Sequence, residues 1–178
     1  MIKDIQKQLN HLQVLLDAAV LAFSYAFAWY FAIKNPIFPE GHGVLSPRFY
    51  FSVMIPLIPA YLFLYWILGL YKPMRTIRMK TAFFRILQSN SVGLLLSASI
   101  LFAFRKSGYF EHYSTRMLGF FYVFSIFFTT AERYFLRKVL SALRKNGFNQ
   151  KHIILVGFSP VSDRFIDLCK KNPDWGYH

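Results

Sequence analysis

The chain has 178 residues, of which 55% are hydrophobic, 20% aromatic and only 16% charged, with a mean hydropathy of +0.33. That excludes a disordered chain and argues against an ordinary soluble domain, in which roughly 25% of residues are charged. The net charge of +13, from 21 Lys and Arg against 8 Asp and Glu, fits a multi-pass membrane protein whose basic residues face anionic lipid. Nucleic acid is set aside as a partner, because the charges are interleaved with spans too apolar for water.

The first span is predicted over 12–33, LQVLLDAAVLAFSYAFAWYFAI, with Asp17 its only charge. Twenty-two residues reach about 33 Å, enough for a bilayer core of about 30 Å. No A-x-A cleavage pattern follows, so the segment reads as a retained signal anchor. Asp17 lies five residues in from the near end. It is expected to pair with a basic residue of 72–85 or with Arg133 rather than to relay protons, because no second buried charge completes a relay. The second span covers 49–70 and carries Pro56 and Pro59, where a kink is expected.

Residues 74–88, MRTIRMKTAFFRILQ, read as an amphipathic interfacial helix with Arg75, Arg78 and Arg85 on one face, placed to meet lipid phosphates. The third span follows over 86–104, where Gly93, Ser97 and Ser99 are small enough to admit another helix. The fourth covers 115–131, and its helical pattern runs on to about Lys145. Glu132 and Arg133, at its exit, are expected to form structural ion pairs with the 72–85 segment. His42, Glu111, His112 and Arg116 are scattered loop residues to which no site is assigned.

Thirteen basic residues flank the spans on one side, in 1–11, 71–85 and 131–151, against five on the other. The positive-inside rule places both termini in the cytoplasm. The expected fold is therefore an all-α, four-helix transmembrane domain over 1–145. An α/β unit follows over 151–178, the opening strand and helix of a Rossmann-like domain. Ile153 to Val156 form the strand, and Ser159 and Pro160 open a helix that Asn172-Pro173 ends. The loop Gly157-Phe158-Ser159-Pro160 lacks the further glycines of a dinucleotide fingerprint. A lone strand and helix have no sheet to join, so the natural protein is expected to continue beyond His178. The single cysteine, Cys169, excludes an internal disulfide, and no zinc spacing is present.

Several residue groups together carry a family resemblance. They are Gly69-Leu70-Tyr71-Lys72-Pro73, Ser114-Thr115-Arg116, Glu132-Arg133, Leu143 to Asn149 leading into Ile153 to Gly157, and Asn172-Pro173 before Gly176-Tyr177. The chain resembles the membrane region and first Rossmann-like segment of bacterial polyprenyl-phosphate hexose-1-phosphate transferases. The resemblance implies a multi-pass protein of the inner membrane, preceding a separate catalytic domain. That domain would move a sugar 1-phosphate from a UDP-sugar to undecaprenyl phosphate with magnesium, to start exopolysaccharide, capsule or O-antigen synthesis. No catalytic, cofactor or metal position of the family falls in this chain, so it should be inactive alone, an anchor and assembly region whose partners include anionic phospholipid and a candidate second copy. Two alternatives stay open: the anchor of a nucleotide-sugar dehydratase or epimerase, and a small stand-alone membrane scaffold.

Overall fold

A computed structural model of the chain describes residues 2–34, 46–71, 79–104, 113–145 and 160–171. Every regular element among them is helical: α1 (Ile2–Trp29), which continues into a π-helical turn (Tyr30–Lys34), α2 (Pro47–Ile67), α3 (Met79–Ala103), α4 (Thr115–Lys145) and α5 (Pro160–Lys171). The strand expected over Ile153–Val156 lies outside the described residues, as does the Gly157 loop. The chain divides into two compact units, Met1–Glu132 and Arg133–His178.

Among the described residues, three helical stretches are long and apolar enough to cross a membrane: Asn10–Lys34, Pro47–Ile67 and Met79–Ala103. They coincide with the first three expected spans. α4 is helical over the whole expected stretch, but it is less apolar. Its polar residues explain this: Ser125 and Thr129 are fully buried and face inward, and Glu132 and Arg133 follow directly.

Met79 to Ala103 form one helix, so the described part of the amphipathic segment is continuous with the third span. No proline lies in this stretch to break it. α2 is one helix with Pro56 and Pro59 inside it. At the far end of α1, the π-helical turn brings residues five apart onto one face. Lys34 Nζ accordingly sits 5.8 Å from the centroid of the Trp29 ring.

α2 ends in a Schellman turn. The Gly69 N–H donates to Trp66 O at 3.1 Å and the Leu70 N–H to Tyr65 O at 2.9 Å, with Gly69 in the left-handed region at φ 71°. Arg85, from α3, then donates Nη1–H to Gly69 O at 3.0 Å. This ties the start of α3 to the end of α2. A side chain at 69 is strained at that φ, so Gly69→Ala should lower stability by about 1 kcal/mol, measured as an earlier thermal transition of the purified chain in detergent.

The first unit is held by aromatic and polar contacts. Phe23 and Phe27 on α1 and Phe31 in its π-helical continuation recur every four residues, and Phe120, Phe124 and Phe128 do the same on α4. They mesh as Phe23–Phe128 at 5.1 Å, Phe27–Phe124 at 4.9 Å and Phe31–Phe120 at 6.5 Å between centroids. The rising numbers on one helix meet falling numbers on the other, so the two helices run antiparallel. Such pairs contribute about 0.5–1.5 kcal/mol each beyond area burial. That matters in lipid, where exclusion of water no longer drives helices together.

In the second unit, the later part of α4 exposes Tyr134, Phe135, Val139 and Leu143, with Lys138 Nζ 5.6 Å from the Tyr134 ring. α5 begins at Pro160 and ends at Lys171, one residue before Asn172-Pro173, as its sequence signals require. Cys169 is a half-buried thiol.

Candidate functional site

Among the described residues, polar layers and a cavity interrupt the apolar interior of the first unit. The first layer centres on Asn90, which is fully buried on α3. Its Nδ2 donates to Ile86 O at 2.9 Å and to the Tyr65 hydroxyl of α2 at 3.1 Å. Its Oδ1 accepts from Ser125 Oγ of α4 at 2.8 Å. Tyr65 has already accepted from Asn90, so its own proton is directed to Asn90 Oδ1 at 3.3 Å or to Thr129 Oγ1 at 3.5 Å. One amide thus links three helices. Nearby, Ser91 Oγ on α3 lies 2.9 Å from the Tyr122 hydroxyl on α4.

The second layer lies where α2 and α4 begin. The Tyr25 hydroxyl donates to Tyr50 O at 2.8 Å and lies 3.1 Å from the Tyr113 hydroxyl. Because the single Tyr25 proton goes to Tyr50 O, Tyr113 supplies the proton of the second bond. Burial pushes the Tyr113 hydroxyl up to about 12. Tyr50 adds to the rise, so it stays protonated at physiological pH. The Ser114 N–H donates to the Tyr50 hydroxyl at 3.3 Å, and Ser114 Oγ caps α4 by accepting from the Met117 N–H at 3.3 Å. The expected Ser114-Thr115-Arg116 motif therefore marks a helix start locked to α2.

Beside this layer, α2, α3 and the start of α4 enclose a cavity of about 230 Å³. Val53, Pro56, Leu57, Ile100, Leu101 and Leu118 make its apolar wall, with Tyr61, Ser97 and Tyr113 as its polar members. Of the three small residues on α3, only Gly93 is buried. It faces Tyr61 so closely that a Cβ there would stand 2.5 Å from the ring. Ser97 lines the cavity, and Ser99 is exposed.

The residues singled out from sequence are distributed differently. Asp17 is fully buried on α1, Glu132 is half-buried, and Arg133 is 2% exposed. Arg85 is the half-buried cap of the α2 turn. Arg75 and Arg78 lie outside the described residues, as do His42, Glu111 and His112. Asn90 and the tyrosines carry the strongest geometry, and sequence reasoning missed them because it sought ionisable groups. The available signal was the polar run Gln88-Ser89-Asn90-Ser91 within a helix of membrane-spanning length, whose polar groups require partners in a membrane. Among the described residues, no group of three or more His, Cys, Asp or Glu is placed to hold a metal ion. The layers are suited to fixing helices, not to activating a nucleophile.

The described residues thus define a polytopic helical membrane protein. A sequence profile described as a CoA-binding domain matches residues 66–177, and the chain belongs to that family, a domain found in polyprenyl-phosphate sugar transferases. No curated protein and no solved structure matches the chain.

Proposed function

We propose that the chain is the membrane-anchoring and assembly region of a bacterial enzyme that moves hexose 1-phosphate from a UDP-sugar to undecaprenyl phosphate, initiating exopolysaccharide, capsule or O-antigen synthesis. The observation that carries this reading is the family match over 66–177, which begins in a membrane-spanning helix and reaches past α5. The transfer chemistry, and the magnesium it uses, belong to a further domain of a longer protein.

In this reading α4 is the fourth span over 115–131. Its antiparallel phenylalanine seam with α1 supports that assignment, because it sets the apolar part of α4 alongside an established candidate span. The excess of basic residues at one set of helix ends supports cytoplasmic termini in the inner membrane. Arg75, Arg78 and Arg85 are the proposed lipid-phosphate contacts. The bond from Arg85 to Gly69 O uses one guanidinium N–H and leaves others for a phosphate. Asp17 is proposed to be balanced by a basic residue of 72–85, since a carboxylate this buried is costly without one.

Coenzyme A itself does not fit the start of α5. A diphosphate bound there would meet Pro160, which has no N–H, and Asp163 in the first turn, whose charge repels it. We assign no ligand to that helix and derive no step from one.

The test is to read the coding frame past codon 178 and to place a reporter after His178. A frame that adds a basic, membrane-associated domain, with a reporter active only in the cytoplasm, is the expected result. A glycine-rich NAD-binding domain would move the parent to the dehydratases. A reporter active on the outer side would remove the four-span arrangement.

A further inference from the structure

The cavity beside the tyrosine layer has a mouth and a floor. Its floor is made by Leu57, Tyr61 and Leu118, all buried, while Pro56 and Ile100 at its edge are exposed. It therefore opens between α2 and α3 toward the surface that lipid covers. At about 230 Å³ it is smaller than the roughly 300–1,000 Å³ of a drug-sized site. It is larger than the roughly 150 Å³ that accommodates a benzene ring. An apolar slot of this size admits a segment of one hydrocarbon chain and excludes a polar ligand or a helix.

Two of the helices that line it, α2 and α4, begin with a charge. Arg48 is the second residue of α2 and Arg116 the second of α4, and both are exposed. The bond from the Ser114 N–H to the Tyr50 hydroxyl, 3.3 Å long, holds these two helix starts together, and the Tyr50 and Tyr113 rings pack at 5.0 Å. Both helix starts present the positive end of a macrodipole on the same side. From Arg48, the cavity residues Val53 to Tyr61 lie about 8–20 Å along α2 at 1.5 Å per residue. A lipid with its phosphate at the arginines would carry its acyl chain through that depth, half of a bilayer core being about 15 Å.

We propose that this end of the bundle binds one anionic phospholipid, with an acyl chain in the cavity between α2, α3 and α4 and its phosphate between Arg48 and Arg116. The site lies at the opposite end of α2 from Arg85 and does not depend on the transferase reading. It gives a role to Arg116, which the sequence left as a scattered loop residue. It also explains why a cavity sits inside the bundle: the bilayer supplies the group that fills it.

Native mass spectrometry of the full purified chain tests this, with dioleoyl phosphatidylglycerol and dioleoyl phosphatidylcholine offered at equal concentration and low salt. At roughly a fivefold factor for each arginine near a lipid headgroup, phosphatidylglycerol should be retained at least tenfold better. Arg48→Gln combined with Arg116→Gln should reduce it to the phosphatidylcholine level. Ser97→Phe, which fills the cavity, should lose both lipids, and Ile100→Trp at the mouth repeats the test should Ser97→Phe fail to fold. Equal retention of the two lipids by the unaltered chain overturns the proposal. So does a preference that survives the double arginine change, or one abolished instead by Lys80→Gln at the other end. Undiminished binding to the filled variants overturns it as well.

Discussion

Replacing Gly93 with leucine is expected to lower the stability of the purified chain by about 3 kcal/mol, the upper part of the range for overpacking. The cause is geometric. A Cβ at 93 would stand 2.5 Å from Tyr61 Cζ, 2.7 Å from Cε1 and 2.9 Å from the hydroxyl. Each is closer than real carbon contacts allow, and Tyr61 is only 2% exposed. The Tyr61 ring also lines the cavity, so a small displacement has somewhere to go. Gly93→Ala should therefore cost nearer 1 kcal/mol, with the ring pushed into the cavity, and should weaken lipid retention while leaving the fold intact. Pairing it with Tyr61→Leu should give a combined loss well below the sum of the two, because the clash is shared. Strict additivity in denaturant or thermal unfolding would show that α2 and α3 do not cross at this point.

Asn90→Leu is expected to cost about 2 kcal/mol, read in the same unfolding assays. The side chain is nearly isosteric, so the loss measures hydrogen bonding rather than volume. Asn90 bonds Tyr65, Ser125 and Ile86 O. Interhelical bonds in membranes average about 0.6 kcal/mol and reach about 1.7, and several break together here. Tyr65→Phe and Ser125→Ala should each cost less, about 0.6 kcal/mol, because Asn90 keeps Ile86 O and Ser125 in the first and Ile86 O and the Tyr65 hydroxyl in the second. Losses of equal size for all three variants would mean that the amide is not the hub.

Both predictions concern residues whose importance composition could not show. The spans were legible because a bilayer demands some twenty apolar residues in a row, and that demand is written locally. The ends of α5 were legible for a similar reason: Pro160 lacks an N–H only where a helix needs none, and Asn172-Pro173 cannot continue one. The basic flanks were equally plain, because charge is counted residue by residue. The small residues on α3 were visible too, but not their separate fates. Gly93 meets a ring, Ser97 lines a cavity and Ser99 faces outward.

The sequence by itself determined that this is a basic, aromatic, multi-helix membrane protein, and roughly where its helices begin and end. These follow from hydropathy and backbone chemistry within a few neighbouring residues. Only the tertiary structure decided that Asn90 joins three helices, that Ser114 locks α4 to α2, and that Arg85 caps the α2 turn. The partners in those contacts are separated by 16 to 64 residues along the chain, or by different helices altogether. Pairings of that kind depend on how helices rotate and cross, and inside lipid those angles are set by close packing and matched hydrogen bonds rather than by hydrophobic pattern.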